Sequence, residues 1–326
     1  MIPKHGAKHH ATHHAHVDQE RNTNSAMEKS PEPTSRDYIE TALTCQNSEG
    51  THKIVYSDWG QDNMQVIVCI HGLTGNGHDF DYLAPHLVEC GYRVIAIDLA
   101  GRGRSDFLPN PLDYNYQQYH QDILAVLMHL NLNTPRSVDW LGVSLGGLLG
   151  IALAAEEDTP IRRLILNDVG PEVPKKMVKF ILRIIKKLYK FKNVARLEKR
   201  MRKTRGLTWG PITDAQWKYM AEHNFRTIRK RKIAYAYDEK IARIFKTQPT
   251  GTVDLWPLWD QIKCPTLVLR GGRSVILSKD ILEKMQRTAI GFSLDTHIFE
   301  DCGHVPSLMA PEQIAVIEDW LEKRSL

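Results

Sequence analysis

Gly142-Val143-Ser144-Leu145-Gly146 follows the apolar run Ser137–Leu141 and opens onto Leu145-Gly146-Gly147-Leu148-Leu149-Gly150. A short apolar run reads as a buried strand, and the small-residue run after it as a closely packed helix, so Ser144 falls on a sharp strand-to-helix turn. Such a turn forces unusual backbone angles on the serine, and the flanking glycines let neighbouring backbones approach. The hydroxyl is lifted above a sheet, and the helix N-terminus points at any negative charge that develops there. Ser144 is built as an acyl-transfer nucleophile.

Acyl transfer also needs donors for a tetrahedral oxyanion. The backbone N–H of Leu145 is one candidate. The second is the N–H of Leu73, in His71-Gly72-Leu73-Thr74-Gly75 after the apolar run Val66–Ile70, with His71 read as orienting that loop. The base is expected at His304, in Asp301-Cys302-Gly303-His304, between the strand candidate Asp295–Phe299 and a helix begun by Pro311. Among fifteen histidines it stands out by position, able to take the serine proton and return it to a leaving group.

Working outward, Tyr38–Thr44 and His52–Ser57 alternate around a turn, which predicts an opening hairpin. Val66–Ile70, Arg93–Asp98, Ser137–Leu141, Arg163–Asp168, Thr266–Arg270 and Asp295–Phe299 read as buried strands. Between them Asp79–Cys90, Tyr116–Leu130, Leu145–Glu156, Ser278–Arg287 and Pro311–Glu322 have helical spacing. Apolar strands separated by helices imply a mostly parallel sheet covered on both faces. From Gly170 to Thr250 the pattern is largely helical without a strand candidate, an insertion after the sixth strand. The expected organisation is a disordered His-rich tail over 1–36, a core from 37–170 and 251–326, and a basic helical lid over 171–250.

Composition agrees with a globular body: of 326 residues, 42% are hydrophobic and 25% charged. No apolar run approaches the roughly 20 residues that span a bilayer. The N-terminus is polar, with His5, His9, His10, His13, His14 and His16, and lacks the apolar centre of a secretory signal. Five scattered cysteines without paired spacing fit a reducing compartment, so a cytoplasmic location is expected. No metal or cofactor is implied. The net charge of +5 is uneven: residues 171–206 hold fourteen Lys/Arg against Glu172 and Glu198, while acids outnumber bases elsewhere.

Ser144, the His-Gly loop and Gly303-His304, with Asp98-Leu99-Ala100-Gly101-Arg102-Gly103-Arg104-Ser105 and Asn167-Asp168-Val169-Gly170, resemble the α/β-hydrolase superfamily from about Tyr38 to Leu326. Trp209-Gly210-Pro211-Ile212-Thr213-Asp214 and Tyr237-Asp238-Glu239-Lys240-Ile241-Ala242 look like a bacterial subgroup of serine hydrolases with a helical lid. The resemblance implies a reaction class and names no substrate. One departure matters. The family usually reads Arg-Gly-x-x-Ser-Asp, the aspartate orienting the histidine, where this chain reads Arg270-Gly271-Gly272-Arg273-Ser274-Val275. Val275, at the usual acid position, cannot accept a bond from imidazole. Three explanations stand: relocation of the acid to Asp168, a substitution that cripples the enzyme, or a scaffold that binds without turnover. Asp280 and Asp301 are further acids nearby, the first in a helix turn and the second close in sequence to His304.

Phe180, Ile181, Ile184, Ile185, Leu188 and Phe191 recur at helical spacing among lysines and arginines, giving an apolar stripe opposite a basic face. That is a helix packed over the pocket with a solvated outside, or a surface that meets anionic lipid. Nucleic acid is not expected, since no recognised module accompanies the charge. Trp209, Trp217, Tyr219, Phe225, Tyr235, Tyr237, Trp256 and Trp259 supply candidates for lining an acyl pocket. The expected partner is a small ester with an apolar acyl or aryl group, cleaved by a serine hydrolase; carbon–carbon bond hydrolysis and noncatalytic ligand binding are the alternatives.

Overall fold

The alternation that marks the opening hairpin continues further than expected. In a computed structural model, which describes residues 37–243 and 251–324, strands β1 (Tyr38–Asn47) and β2 (Gly50–Trp59) pair antiparallel along their whole length. The expected tail, 1–36, and residues 244–250 of the insertion lie outside the described residues.

The apolar runs then form β3 (Gln65–Ile70), β4 (Tyr92–Asp98), β5 (Val138–Val143) and β6 (Ile161–Asn167). Five short strands follow: β7 (Glu172–Val173), β8 (Lys190–Phe191), β9 (Phe225–Ile228), β10 (Lys232–Tyr235) and β11 (Val253–Asp254). The last two strands are β12 (Thr266–Gly271) and β13 (Leu294–Phe299). The main sheet has the order β1-β2-β4-β3-β5-β6-β12-β13. From β4 to β13 every pairing is parallel; only β1 and β2 run against their neighbours.

Side chains alternate across each strand, and both sides are buried. Val66, Val68 and Ile70 of β3 enter one apolar cluster with Ile123 and Val126 of α2 (Tyr116–His129) and Leu149 of α3 (Leu145–Ala154). Ile67 and Cys69 enter the other with Leu83 and Leu87, the latter in α1 (Ala84–Glu89). The expected helix over Asp79–Cys90 is in fact a 3-10 turn, Gly77–Phe80, followed by α1. Pro85 at the start of α1 sets the break, since a proline fits a first helical turn and not an interior.

The stretch between β6 and β12 corrects a second expectation. It holds α4 (Lys175–Ile185), α5 (Val194–Arg205), α6 (Asp214–Glu222) and α7 (Trp256–Trp259), but also a small sheet of order β8-β10-β9 and the pair β11-β7. Strands of two to four residues carry too few alternations to register as a period. The arginines and lysines from Arg226 to Lys232 dilute the apolar signal further. After β12 come α8 (Lys279–Thr288), on the side of α2 and α3, and α9 (Pro311–Lys323), on the side of α1. No described helix is long and apolar enough to cross a membrane.

Helix α3 lies hard against the sheet because Gly146 and Gly150, where it meets the strands, carry no side chain. A Cβ on Gly146 would overlap the Ile70 carbonyl, and one on Gly150 would crowd the Trp140 ring. Gly146→Ala is therefore expected to destabilise the fold by about 1–3 kcal/mol, the usual cost of overpacking. Urea unfolding would register it as a lower midpoint with an unchanged slope.

Candidate active site

Ser144 closes β5 with φ 50° and ψ −107°, a region that a non-glycine residue enters only when its surroundings compel it. The surroundings here are specific. The Ser144 N–H donates to the Asn167 carbonyl at 3.1 Å, and the Ser144 carbonyl accepts from Gly147 and Leu148 at 2.9 and 3.1 Å. The Trp140 indole N–H donates to the Gly146 carbonyl at 3.0 Å. A Cβ on Gly142 would overlap that same carbonyl group, so the turn closes only with glycine at both flanks.

His304 meets this serine. Its Nε2 lies 3.1 Å from Ser144 Oγ, and its Nδ1 lies 2.7 Å from Asp168 Oδ2. A proton on Nδ1 is donated to the carboxylate, which leaves Nε2 to accept the serine proton. The loop carrying His304 is held from two sides. The Asn167 amide donates to the Pro306 carbonyl at 2.9 Å, and from the insertion Thr208 and Trp209 carbonyls accept from Gly303 and Ser307 at 2.8 and 3.1 Å.

Asp168 follows β6 directly and is fully buried, at φ 55°. Its Oδ1 accepts from the Gly271 N–H at 2.8 Å, and its Oδ2 accepts from the Ser274 hydroxyl at 2.5 Å as well as from His304. A buried carboxylate is tolerable when donors surround it in this way. Ser274 Oγ also accepts from the N–H groups of Ile276 and Leu277, each at 3.2 Å, which ties the loop after β12 around Asp168. Val275, the next residue, turns outward and is 61% exposed. Asp280 lies in the first turn of α8, and Asp301 accepts from the Cys302 thiol at 3.5 Å. Neither bonds His304.

The Leu73 loop is braced from beneath. The Arg102 Nε donates to the Leu73 carbonyl at 3.0 Å, and His71 Nδ1 donates to the Gly72 carbonyl at 2.7 Å while its Nε2 accepts from the Leu99 N–H at 3.0 Å. Burial pulls His71 down to about 4, so the ring stays neutral in this bridging role. A Cβ on Gly72 would sit 3.7 Å from the Ser144 Cβ, which puts this loop beside the Ser144 turn. Leu145, at the first position of α3, has a helix-terminal N–H with no intrahelical acceptor.

Ser274, Asn167 and Arg102 were not assigned roles from the sequence. Each stands inside a quoted motif, but what each touches depends on a segment distant in the chain. The aromatics divide: Trp209 lines a cavity beside the site, while Trp217, Tyr219, Tyr235, Tyr237 and Trp259 are buried in the apolar core. Phe225 and Trp256 are partly buried at its edge.

Known proteins resemble this chain over most of its length. The family model for the alpha/beta hydrolase fold matches residues 65–311. A 3-hydroxybutyrate-oligomer hydrolase of Cupriavidus necator is 34% identical over 288 residues, covering 84% of this chain and 94% of its own. An esterase of Mycobacterium tuberculosis is 26% identical over 80% of this chain and 82% of its own. A structure of a putative hydrolase from Rickettsia typhi superposes with a TM-score of 0.79 at 32% identity, covering 88% of this chain and 99% of that one.

The chain belongs to the α/β-hydrolase family. Like these relatives, this α/β-hydrolase is a hydrolytic enzyme.

Beside the site of this α/β-hydrolase lies a small cavity of about 40 Å³ that opens to solvent. Phe80, Val143, Trp209, Met220, Val305 and Leu308 give it an apolar wall, and Asp79 adds a carboxyl group. Val143 and Val305 adjoin Ser144 and His304 in the chain, although Ser144 and His304 do not themselves line the cavity. Burial pushes the Asp79 carboxyl up to about 6, against the pull of the Arg205 guanidinium. One of its oxygens has no hydrogen-bond partner. Because the folded-state value is raised above the ordinary 3.8, the fold binds this proton more tightly than the unfolded chain does. Its contribution is therefore favourable at low pH and is lost as pH rises through about 6. Asp79→Asn should raise the Tm near pH 7 and leave it close to the parent's near pH 4; thermal melts at the two values check this.

Proposed function

We propose that this protein is a serine hydrolase that cleaves a carboxylic ester with an apolar acyl or aryl group through an acyl-enzyme. One observation carries the reading: His304 lies within hydrogen-bond distance of both Ser144 Oγ and Asp168 Oδ2, at 3.1 and 2.7 Å. Ester hydrolysis is also the activity named for the two relatives that match over most of their length.

In the proposed cycle His304 Nε2 takes the Ser144 proton as Oγ bonds to the acyl carbon. The Leu73 and Leu145 N–H groups hold the oxyanion. The tetrahedral adduct collapses as His304 hands its proton to the departing alkoxide. Water then attacks the acyl-enzyme, giving one proton to His304, which returns it to Ser144 as the acid leaves. Asp168 keeps the imidazole in the required tautomer and stabilises it when charged, the role the family's usual acid has at position 275. No metal or cofactor enters these steps. The insertion serves as a lid, supplying Trp209 and Met220 to the acyl cavity and holding the His304 loop in place. The five unpaired cysteines favour a reducing, cytoplasmic setting.

The C. necator relative also favours one particular substrate class, short oligoesters of a hydroxy acid. Nitrophenyl esters of graded chain length, together with 3-hydroxybutyrate oligomers, test both readings. The parent is expected to turn over at least one class, Ser144→Ala none, and Asp168→Asn to lose about 10⁴-fold in kcat while remaining folded. Val275→Asp is expected to stay within a few-fold of the parent, because an outward-facing side chain has no imidazole to support. A parent inert on every ester, or an Asp168→Asn variant of undiminished kcat, would overturn the assignment.

A further inference from the structure

Of the fourteen cations in residues 171–206, eleven are exposed. Lys175, Lys176, Lys179 and Arg183 lie on α4, Lys186 and Lys187 follow it, and five more come between 190 and 203. Among the described residues none of the eleven has a carboxylate partner. The ion pairs of this region belong to Arg202, which engages Glu198 and Asp214. The other nearby acid, Glu172, accepts from the Trp256 indole N–H at 2.9 Å. Among the described residues this is a large positive surface without neutralising carboxylates.

Helix α4 is apolar on two sides. Val178 and Ile185 are buried, and Met177, Ile181 and Leu182 pack against the core. Phe180 and Ile184 do not join them; they are 48% and 43% exposed, one helical turn apart. Spacings of three and four residues place Lys176 and Arg183 beside Phe180 on α4. Solvation explains exposed lysines but not an exposed phenylalanine and isoleucine set among them. Cations around a short apolar ridge match a surface with negative head groups over hydrocarbon, where the charges meet phosphate and the ridge enters the acyl boundary. A nucleic-acid backbone offers the charge but no place for the ridge.

We propose that the exposed face of α4 and the basic stretch after it dock this protein on an anionic phospholipid bilayer, Phe180 and Ile184 entering the interface. The proposal does not depend on the catalytic assignment, since none of these residues belongs to the catalytic site. It is tested by co-sedimenting the full chain, at a pH where histidine is neutral, with phosphatidylcholine vesicles and with a roughly 7:3 mixture of phosphatidylcholine and phosphatidylserine. The expected result is binding to the mixed vesicles alone, weakened by salt. A triple variant, Lys176→Glu with Lys179→Glu and Arg183→Glu, should lower the affinity at least about tenfold. Phe180→Ser with Ile184→Ser should weaken binding and make the remainder more salt-sensitive. Circular dichroism and ester turnover in free solution should match the parent in both variants. Equal binding to both vesicle types, or variants that bind as the parent does, would overturn the proposal. So would tighter retention on double-stranded DNA with no effect of Phe180 and Ile184, which would assign the surface to a polyanion.

Discussion

Asp168 has no exposed side-chain surface, and donors from two other parts of the chain converge on it: Gly271 N–H, the Ser274 hydroxyl and His304 Nδ1. A buried carboxylate without such partners would be costly, and the three donors together make its burial tolerable. The set binds the end of β6, the loop after β12 and the loop after β13 into one unit. Ser144 joins through Asn167, whose carbonyl holds the Ser144 turn and whose amide holds Pro306. Two consecutive residues, Asn167 and Asp168, thus set the serine and the histidine relative to each other.

The same constraint accounts for what stands at position 275. The loop after β12 must direct Ser274 inward to reach Asp168, and in this path the next residue faces solvent. A valine there removes no hydrogen bond that the observed loop makes. The acid-bearing strand end is one step across the sheet from β12, since β6 and β12 are paired neighbours. A carboxylate on either strand end can lie under the loop that carries the histidine, which is how the fold admits both positions.

Around this centre the insertion has two distinct faces. Its inner side supplies Trp209 and Met220 to the cavity and two carbonyls to the histidine loop. Helix α6 adds Tyr219, whose hydroxyl donates to Asp81 at 2.6 Å. Its outer side carries the unpaired cations and the Phe180–Ile184 ridge. The amphipathic helical period read along residues 180–191 is corrected by the structure: α4 ends at Ile185, Phe191 lies in β8, and Phe180 and Ile184 face outward while Ile181 and Ile185 pack inward. The excess of charge and the exposed ridge exceed what packing alone demands.

Much of this was legible in the chain itself. Local patterns determine the strand-turn-helix at Ser144, the alternation of β and α segments and the loop position of His304, because each depends on neighbours within a few residues. The small strands of the insertion escaped notice because two to four residues hold no measurable period, and Pro85 broke a helix whose apolar spacing looked continuous. Which carboxylate lies beside His304 was also out of reach. Asp168 precedes His304 by 136 residues, and no local pattern states that β6 lies beside β12 or that Ser274 turns inward while Val275 turns out. The sequence by itself determined the fold and the strand-to-helix turn at Ser144, through short-range backbone and packing preferences. Only the tertiary structure decided which carboxylate meets the histidine, because that contact exists only once strand order brings distant segments together.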